Sequence, residues 1–251
     1  MSEVKAVIRP STVLPAIRTP ITIHTADGLN LVGEVARPVS SGGSATSHPD
    51  STLTDHAILC FHPLPTHGGM MDSHIYKKAA NRLPAMAGIT VVRFNTRGTT
   101  SERGTSEGEF GGSVTEKFDV EAAIDFCFTE LGLKNVWIVG WSFGTEIALK
   151  HAHDKRIRGY ILLSPPLMRV TNEELLAWKD DPRTITCLVP EYDEFLSPKA
   201  AREKFSVIPR AHVIEVLGAK HLWVGEPFVY RVLTEICAVV NPDALPLPEE
   251  F

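Results

Sequence analysis

Residues 135–149 are NVWIVGWSFGTEIAL, and within them Ser142 stands between Gly140 and Gly144. The apolar, valine- and isoleucine-rich start of this stretch is typical of a buried β-strand, and the residues after Gly144 favour a helix. Two glycines permit a turn so tight that the serine between them takes strained backbone angles and presents its hydroxyl above the sheet. The order of strand, G-x-S-x-G and helix therefore predicts that Ser142 is a nucleophile.

A serine hydroxyl is a weak nucleophile without a general base, so a histidine should lie nearby. After such a turn, the chain order is an acid and then the histidine. His151 and His153 lie at the far end of the predicted helix, more than ~13 Å away at 1.5 Å per residue. His212 opens a predicted strand, at the edge opposite to the one where ligands gather in open α/β sheets. His221 follows that strand and is therefore the predicted base.

The acid should follow the preceding predicted strand, residues 184–189. Three carboxylates lie just beyond it, namely Glu191, Asp193 and Glu194. Because a loop has no fixed periodicity, spacing leaves all three open as the partner of His221.

Short apolar runs alternate with helical patterns along most of the chain, after a hairpin at residues 21–36 that turns at Asp27-Gly28. This alternation predicts one α/β domain over residues 1–251, with a mostly parallel eight-stranded sheet, helices on both faces and an N-terminal antiparallel hairpin. The Ser-, Gly- and Thr-rich residues 38–55 are predicted to be a flexible surface loop of that domain. The other predicted strands are 57–61, 90–94, 136–139, 160–163, 184–189 and 212–217, and the predicted helices are about 73–86, 115–131, 143–153, 172–179, 197–205 and 226–240.

The composition argues against several classes of partner. With 25 basic and 30 acidic side chains the net charge is -5, and no basic stripe favours nucleic acid or an anionic membrane. No run of 18 apolar residues and no apolar leader stretch is present, so we expect neither a membrane span nor secretion. Four dispersed cysteines in apolar runs indicate buried, reduced thiols, a cytoplasmic location and no metal site, and we expect no cofactor. These are Cys60, Cys127, Cys187 and Cys237.

Taken together, these motifs resemble the α/β-hydrolase superfamily, and especially its small bacterial serine hydrolases and esterases with a minimal cap. The resemblance covers roughly residues 20–240 and implies that Asp193 is the triad acid, while Glu191 and Glu194 are loop carboxylates. It also implies that His62 braces the loop after the third strand. The segments that carry the resemblance are FHPLPTHGGMMD (61–72), RFNTRG (93–98), GWSFG (140–144), YDEF (192–195) and GAKHLW (218–223).

The oxyanion hole should take one amide from the residue after the nucleophile and one from the loop after the third strand. Phe143 supplies the first. In the loop, Pro63 and Pro65 have no N–H, so Leu64 is the predicted second donor. Such a site predicts acyl transfer through an acyl-enzyme on Ser142.

The substrate is the least constrained prediction. Larger family members carry a cap domain at the position of residues 164–183. The resemblance therefore implies that this short segment is a vestigial cap and that the pocket is open. A small-molecule carboxylic ester with an apolar acyl group is the expected substrate, although a peptidase or thioesterase would use the same triad. A non-catalytic binding protein on this fold is the competing class, and the oligomeric state stays open. The predicted rim of the pocket is Met70, Met71, Leu167, Met168 and Trp223.

Overall fold

The computed structural model describes residues 7–39 and 56–250. The flexible loop predicted at residues 38–55 falls almost wholly on residues 40–55, which lie outside the described residues.

Within the described residues the strands, numbered in chain order, are β1 (Ile17–His24), β2 (Asn30–Arg37), β3 (His56–Phe61), β4 (Thr90–Phe94), β5 (Thr100–Ser101), β6 (Gly104–Thr105), β7 (Asn135–Trp141), β8 (Ile157–Leu163), β9 (Thr184–Tyr192) and β10 (Ala211–Lys220). The α-helices of the same residues are α1 (His74–Ala87), α2 (Glu116–Thr129), α3 (Phe143–His151), α4 (Asn172–Leu176), α5 (Pro198–Phe205) and α6 (Glu226–Val240).

One sheet holds eight of these strands, in the order β1-β2-β4-β3-β7-β8-β9-β10. Strand β2 is antiparallel to both β1 and β4, and every other neighbouring pair is parallel. The turn between β1 and β2 passes through Gly28, whose φ of 88° suits a residue without a side chain. The predicted mostly parallel sheet with an N-terminal antiparallel hairpin is confirmed.

Helices cover both faces of this sheet because its central strands are apolar on both sides. Along β3, Leu59 packs in one core cluster while Ile58 and Cys60 pack in the other, as the two-residue alternation of a strand requires. The Leu59 cluster includes buried residues of α2, α3, α4 and α5, and the opposite cluster includes those of α1 and α6. The apolar runs that predicted the strands are thus explained by burial between two helical layers.

The carboxyl ends of the parallel strands lie along one edge of the sheet, which is where ligands bind in open α/β folds. Chain segments that leave β3, β7, β9 and β10 therefore meet there. These segments carry the loop from His62, then Ser142, Asp193 and His221. Across the described ranges, none of the helices has the length and apolar character needed to cross a bilayer.

Candidate active site

Ser142 follows β7 directly and precedes α3. Its φ of 52° and ψ of -116° are strained for a residue with a side chain. A methyl group on Gly144 would lie 1.9 Å from the Phe61 carbonyl oxygen, and one on Gly140 would lie 2.6 Å from the Gly144 carbonyl oxygen. Both glycines of the motif are therefore needed for close backbone packing, and the turn between them holds the Ser142 hydroxyl at the carboxyl edge of the sheet.

His221 lies one residue past β10 and contacts this hydroxyl. Its Nε2 is 2.9 Å from Ser142 Oγ. On the other side of the ring, Nδ1 is 2.9 Å and 3.2 Å from the two carboxylate oxygens of Asp193. The side chains of His221 and Asp193 are only 6% and 1% exposed, so their hydrogen bond is shielded from water. Ser142, His221 and Asp193 form a continuous chain of hydrogen bonds, which we call the relay.

Different partners distinguish the three carboxylates at the end of β9, where Glu191 still belongs to the strand. Asp193 bonds to His221, and its Oδ1 also accepts hydrogen bonds from the backbone amides of Phe195 and Leu196 at 3.0 and 3.3 Å. Glu191 instead accepts a bond of 2.7 Å from the Gly218 amide. Glu194 is exposed. Among these acids, Asp193 is the one that contacts the imidazole.

His62 holds the loop after β3 to the end of β4. The Thr96 amide donates to its Nε2 at 3.0 Å, which leaves the ring proton on Nδ1 to donate to the Pro63 carbonyl at 2.7 Å. Burial lowers the pKa of His62 to about 4, since the charged ring would lose its hydration. A neutral His62 therefore braces the loop, in agreement with the resemblance.

Two backbone amides are predicted to bind an oxyanion, those of Leu64 and Phe143. Leu64 lies in the loop after β3, and Phe143 is the first residue of α3, where a backbone amide has no partner within the helix. The packing of Gly144 against the Phe61 carbonyl brings the start of α3 against the end of β3, where the Leu64 loop begins. The position of both amides at this junction is compatible with an oxyanion hole, which stays a prediction.

The predicted pocket rim needs correction at two positions. Met70 and Leu167 are half-buried and Met168 is 68% exposed, so a ligand could reach them. Met71 and Trp223, however, are fully buried in the protein interior. Met71 is drawn inwards because its amide bonds Asn95 Oδ1, and Trp223 packs in the core cluster that also contains residues of α6. The prediction that these two line an accessible rim is wrong.

Two aromatic contacts that the sequence did not predict lie beside the relay. The ring of Phe195 lies 4.5 Å from the ring of His221, with an angle of 57° between their planes. The ring centre of Phe110 lies 5.3 Å from that of Phe143, the residue that directly follows Ser142. No sequence signal identified these contacts, because they depend on the paths of two loops without periodicity.

Residues 164–183 form a short connection that is fastened to α3. Arg169 donates hydrogen bonds to the fully buried carboxylate of Glu146, from its amide at 2.7 Å and its guanidinium at 3.0 Å. The buried indole of Trp178 donates to the Leu149 carbonyl at 2.8 Å. Thr171 and Glu174 form a capping box at the start of α4. Residues 164–183, which we call the strap, are therefore held against α3 by hydrogen bonds to buried groups.

Two other histidines downstream of Ser142 have partners away from the relay. His151 bonds to the Ser113 carbonyl, and burial lowers its pKa. His153 pairs with Asp181 and stacks on Trp178. Over the described ranges, no group of three or more His, Cys, Asp and Glu side chains could hold a metal ion.

Sequence comparison agrees with this architecture. The sequence model of the alpha/beta hydrolase fold family matches residues 57–201, more than half of the chain. The chain belongs to the α/β-hydrolase family. The matched region includes Ser142 and Asp193, and His221 lies beyond it. No curated protein matches the sequence.

Solved structures share the fold over nearly the whole chain. An α/β serine hydrolase without a lid from Xanthomonas campestris is 24% identical and has a TM-score of 0.68, covering 95% of this chain and 100% of its own. A Pyrococcus furiosus esterase is 16% identical at a TM-score of 0.66, with 92% and 99% covered. A cold-adapted esterase from an Arctic intertidal metagenomic library is 20% identical at 0.68, with 90% and 95% covered. At sequence identities of 24% or less, this structural similarity shows the fold alone.

Proposed function

We propose that this α/β hydrolase is a serine hydrolase that cleaves a carboxylic ester through an acyl-enzyme on Ser142. The observation that supports the proposal best is the relay from Ser142 Oγ through His221 to Asp193, with 2.9 Å at each step. A base within hydrogen-bond reach of a nucleophile, itself oriented by a third group, is the arrangement that acyl transfer requires.

In the proposed reaction, His221 Nε2 takes the proton of Ser142 while Oγ attacks the carbonyl carbon of the ester. The amides of Leu64 and Phe143 hold the negative oxygen of the tetrahedral intermediate. The C–O bond to the alcohol then breaks, and the alcohol leaves with the proton from His221. Water attacks the acyl group on Ser142, again giving its proton to His221, and the acid leaves as the proton returns to Oγ. Asp193 stays ionised and fixes the ring of His221.

The apolar side chains packed near Phe143 support the choice of a substrate with an apolar, uncharged acyl group. Leu64, Phe110 and Leu167 are half-buried and pack against the core cluster that contains Phe143. A pocket with mainly apolar walls and a few placed polar groups is typical of small-molecule sites. The small-molecule acyl ester is therefore the partner that we propose. The esterases from Pyrococcus furiosus and the Arctic library are named for that activity, which accords with this choice.

Labelling with a fluorophosphonate probe tests the nucleophile. We expect the wild type to label and to hydrolyse p-nitrophenyl butyrate, and Ser142→Ala to do neither. Ser206→Ala is the matched control, because Ser206 is a surface serine at the end of α5 and should label like the wild type. A wild type that neither labels nor hydrolyses any p-nitrophenyl ester from acetate to decanoate would favour a non-catalytic binding protein.

A matched set of substrates separates the alternatives that share the triad. The oxygen ester, thioester and anilide of one apolar acid differ only in the leaving atom. We expect the largest kcat/KM for the oxygen ester. A thioesterase would show its largest value on the thioester, and a peptidase would cleave the anilide. The length of the acyl chain at which kcat/KM is greatest then measures the pocket.

We also propose a cytoplasmic location for a single-domain enzyme. The support comes from the cysteines, since Cys60, Cys127, Cys187 and Cys237 are all free and buried. Reduced thiols are usual in a reducing compartment. Fractionation of cells that express the tagged protein tests the location, and recovery in a secreted fraction would contradict it.

A further inference from the structure

The carbonyl oxygen of His221 accepts two hydrogen bonds from neighbouring strand ends. The indole Nε1–H of Trp141, the last residue of β7, donates at 3.2 Å. The hydroxyl of Ser164, which directly follows β8, donates at 3.1 Å. Both side chains belong to buried residues. The main chain of His221 is thus tied to the ends of β7, which leads into the nucleophile turn, and of β8, its neighbour in the sheet.

A third side chain holds the next peptide. His74 Nε2 lies 2.7 Å from the Leu222 carbonyl oxygen and donates its proton there, since a carbonyl can only accept. The ring of His74 also stands edge-on to Trp141, with ring centres 5.3 Å apart. His74 therefore supports both the peptide after His221 and one of the two donors to His221.

The sheet alone does not fix this position. Strand β10 is an edge strand, and its pairing with β9 shifts register between Val216 and Lys220, just before His221. A register shift interrupts the ladder of hydrogen bonds and bends the strand. Ser164 has a φ of 50°, a left-handed conformation that a serine keeps only where the surrounding structure holds it. The bonds to His221 and Leu222 supply the restraint that the irregular edge lacks.

We propose that Trp141, Ser164 and His74 are positioning residues that hold the main chain of His221 so that its Nε2 stays within reach of Ser142. The inference rests on the proposed function. None of the three donors is a member of the relay, and their effect passes through the backbone of His221. General-base catalysis depends on this distance, so the bonds should act on kcat.

Two substitutions remove one donor each and keep most of the packing, Trp141→Phe and Ser164→Ala. We expect each to lower kcat about three- to tenfold, the range for one hydrogen bond, with KM changed less than about twofold. The double variant should lose more than the product of the single losses, because the buried carbonyl then keeps neither partner. Trp137→Phe, on the same strand but packed against His56, is the matched control and should retain the wild-type kcat.

Proton NMR gives a readout that needs no substrate. The proton between His221 Nδ1 and Asp193 should give a downfield signal that Asp193→Asn removes, and Trp141→Phe and Ser164→Ala should speed its exchange with water. A wild type without labelling or turnover would refute the proposed function, while the exchange rates still test the positioning. Unchanged kcat and exchange in folded single variants, with an active wild type, would overturn this inference alone.

Discussion

Asp193 is held by three groups at once, the imidazole of His221 and the amides of Phe195 and Leu196. Replacement by Asn keeps the shape and removes the negative charge that orients the ring and stabilises the imidazolium. We expect Asp193→Asn to lower kcat by up to about 10⁴-fold with the fold retained. Steady-state kinetics on p-nitrophenyl butyrate, with circular dichroism to check folding, measure this loss.

The neighbouring acids provide controls for that prediction. Glu194→Gln should leave kcat unchanged, because the side chain is exposed at this loop. Glu191→Gln should have only a small effect, since an amide oxygen can still accept from the Gly218 amide. A deep loss of kcat in either variant, with Asp193→Asn active, would move the role of the acid to that residue.

Phe195 contacts the ring on which the proposed reaction places a positive charge. Its ring is 51% exposed yet lies 4.5 Å from the ring of His221. A cation over the face of an aromatic ring is stabilised by about 0.5–1 kcal/mol at an exposed site. Phe195→Ala should therefore lower kcat about two- to fivefold, because the imidazolium loses this stabilisation.

Substitutions of matched size separate the aromatic effect from packing. Phe195→Leu keeps the bulk without the aromatic ring and should lose as much kcat as Phe195→Ala, whereas Phe195→Tyr should retain it. Tyr192→Ala, an exposed aromatic on the end of β9, should behave as the wild type. Full activity in Phe195→Ala would contradict the prediction.

These residues also mark how far sequence reasoning reaches. Ser142 and His221 were predictable because each follows a strand whose apolar pattern fixes its direction, so both fall on one edge of the sheet. Asp193 was not separable by spacing from Glu191 and Glu194, since the choice depends on a loop turn. The contact of Phe195 depends on the same turn and had no signal.

At the scale of elements, His62 joins the end of β3 to the chain that follows β4, and this link depends on a neutral ring. The folded-state pKa of about 4 lies below the value of about 6.5 expected for the unfolded chain. The unfolded state therefore binds a proton first as the pH falls. The stabilisation from a neutral His62 is complete above about pH 6.5 and is lost as the pH falls towards 4.

Urea unfolding at pH 7 and pH 4.5 tests this link. His62→Asn can still donate to the Pro63 carbonyl but does not titrate. Between these two pH values the wild type should lose about 2 kcal/mol more unfolding free energy than His62→Asn. Because His74 and His151 also have lowered pKa values, only the difference between the two proteins is informative. Equal losses in both would contradict the assignment.

Element boundaries followed from the sequence where a single pattern held. The strand predicted at 90–94 and the helix predicted at 226–240 have the same limits in the structure. Strand β10 extends to Lys220, beyond the predicted 217, because Gly218 interrupts the apolar run although the strand continues through its register shift.

The burial of Met71 and Trp223 was predicted wrongly for a related reason. An apolar residue in a loop can face the solvent or the core, and periodicity does not decide which.

At the scale of the whole molecule, the mostly parallel sheet was predictable from alternating strands and helices, whereas the strand order and the attachment of residues 164–183 became clear only from the structure. The strap joins β8 to β9 with one short helix and is fixed to α3 at Glu146 and Leu149. A lid must move to admit substrate, and such movement requires few buried contacts. A strap with a buried indole and an arginine paired to a buried carboxylate lacks that freedom.

We therefore expect hydrolysis without interfacial activation. Rates on p-nitrophenyl esters or tributyrin should rise smoothly with substrate concentration and saturate, with no jump where the substrate exceeds its solubility and forms droplets. A lidded lipase in the same assay shows that droplets are present.

Arg169→Met removes the guanidinium partner of the buried Glu146 and should lower the unfolding free energy, by up to about 3 kcal/mol for a partly exposed arginine. If the strap acted as a lid, the wild type would show the jump and the loosened Arg169→Met protein would be faster below the solubility limit. A smooth curve for both proteins would place the control of substrate access in the open edge of the sheet, because freeing the strap would then change stability without changing entry to Ser142.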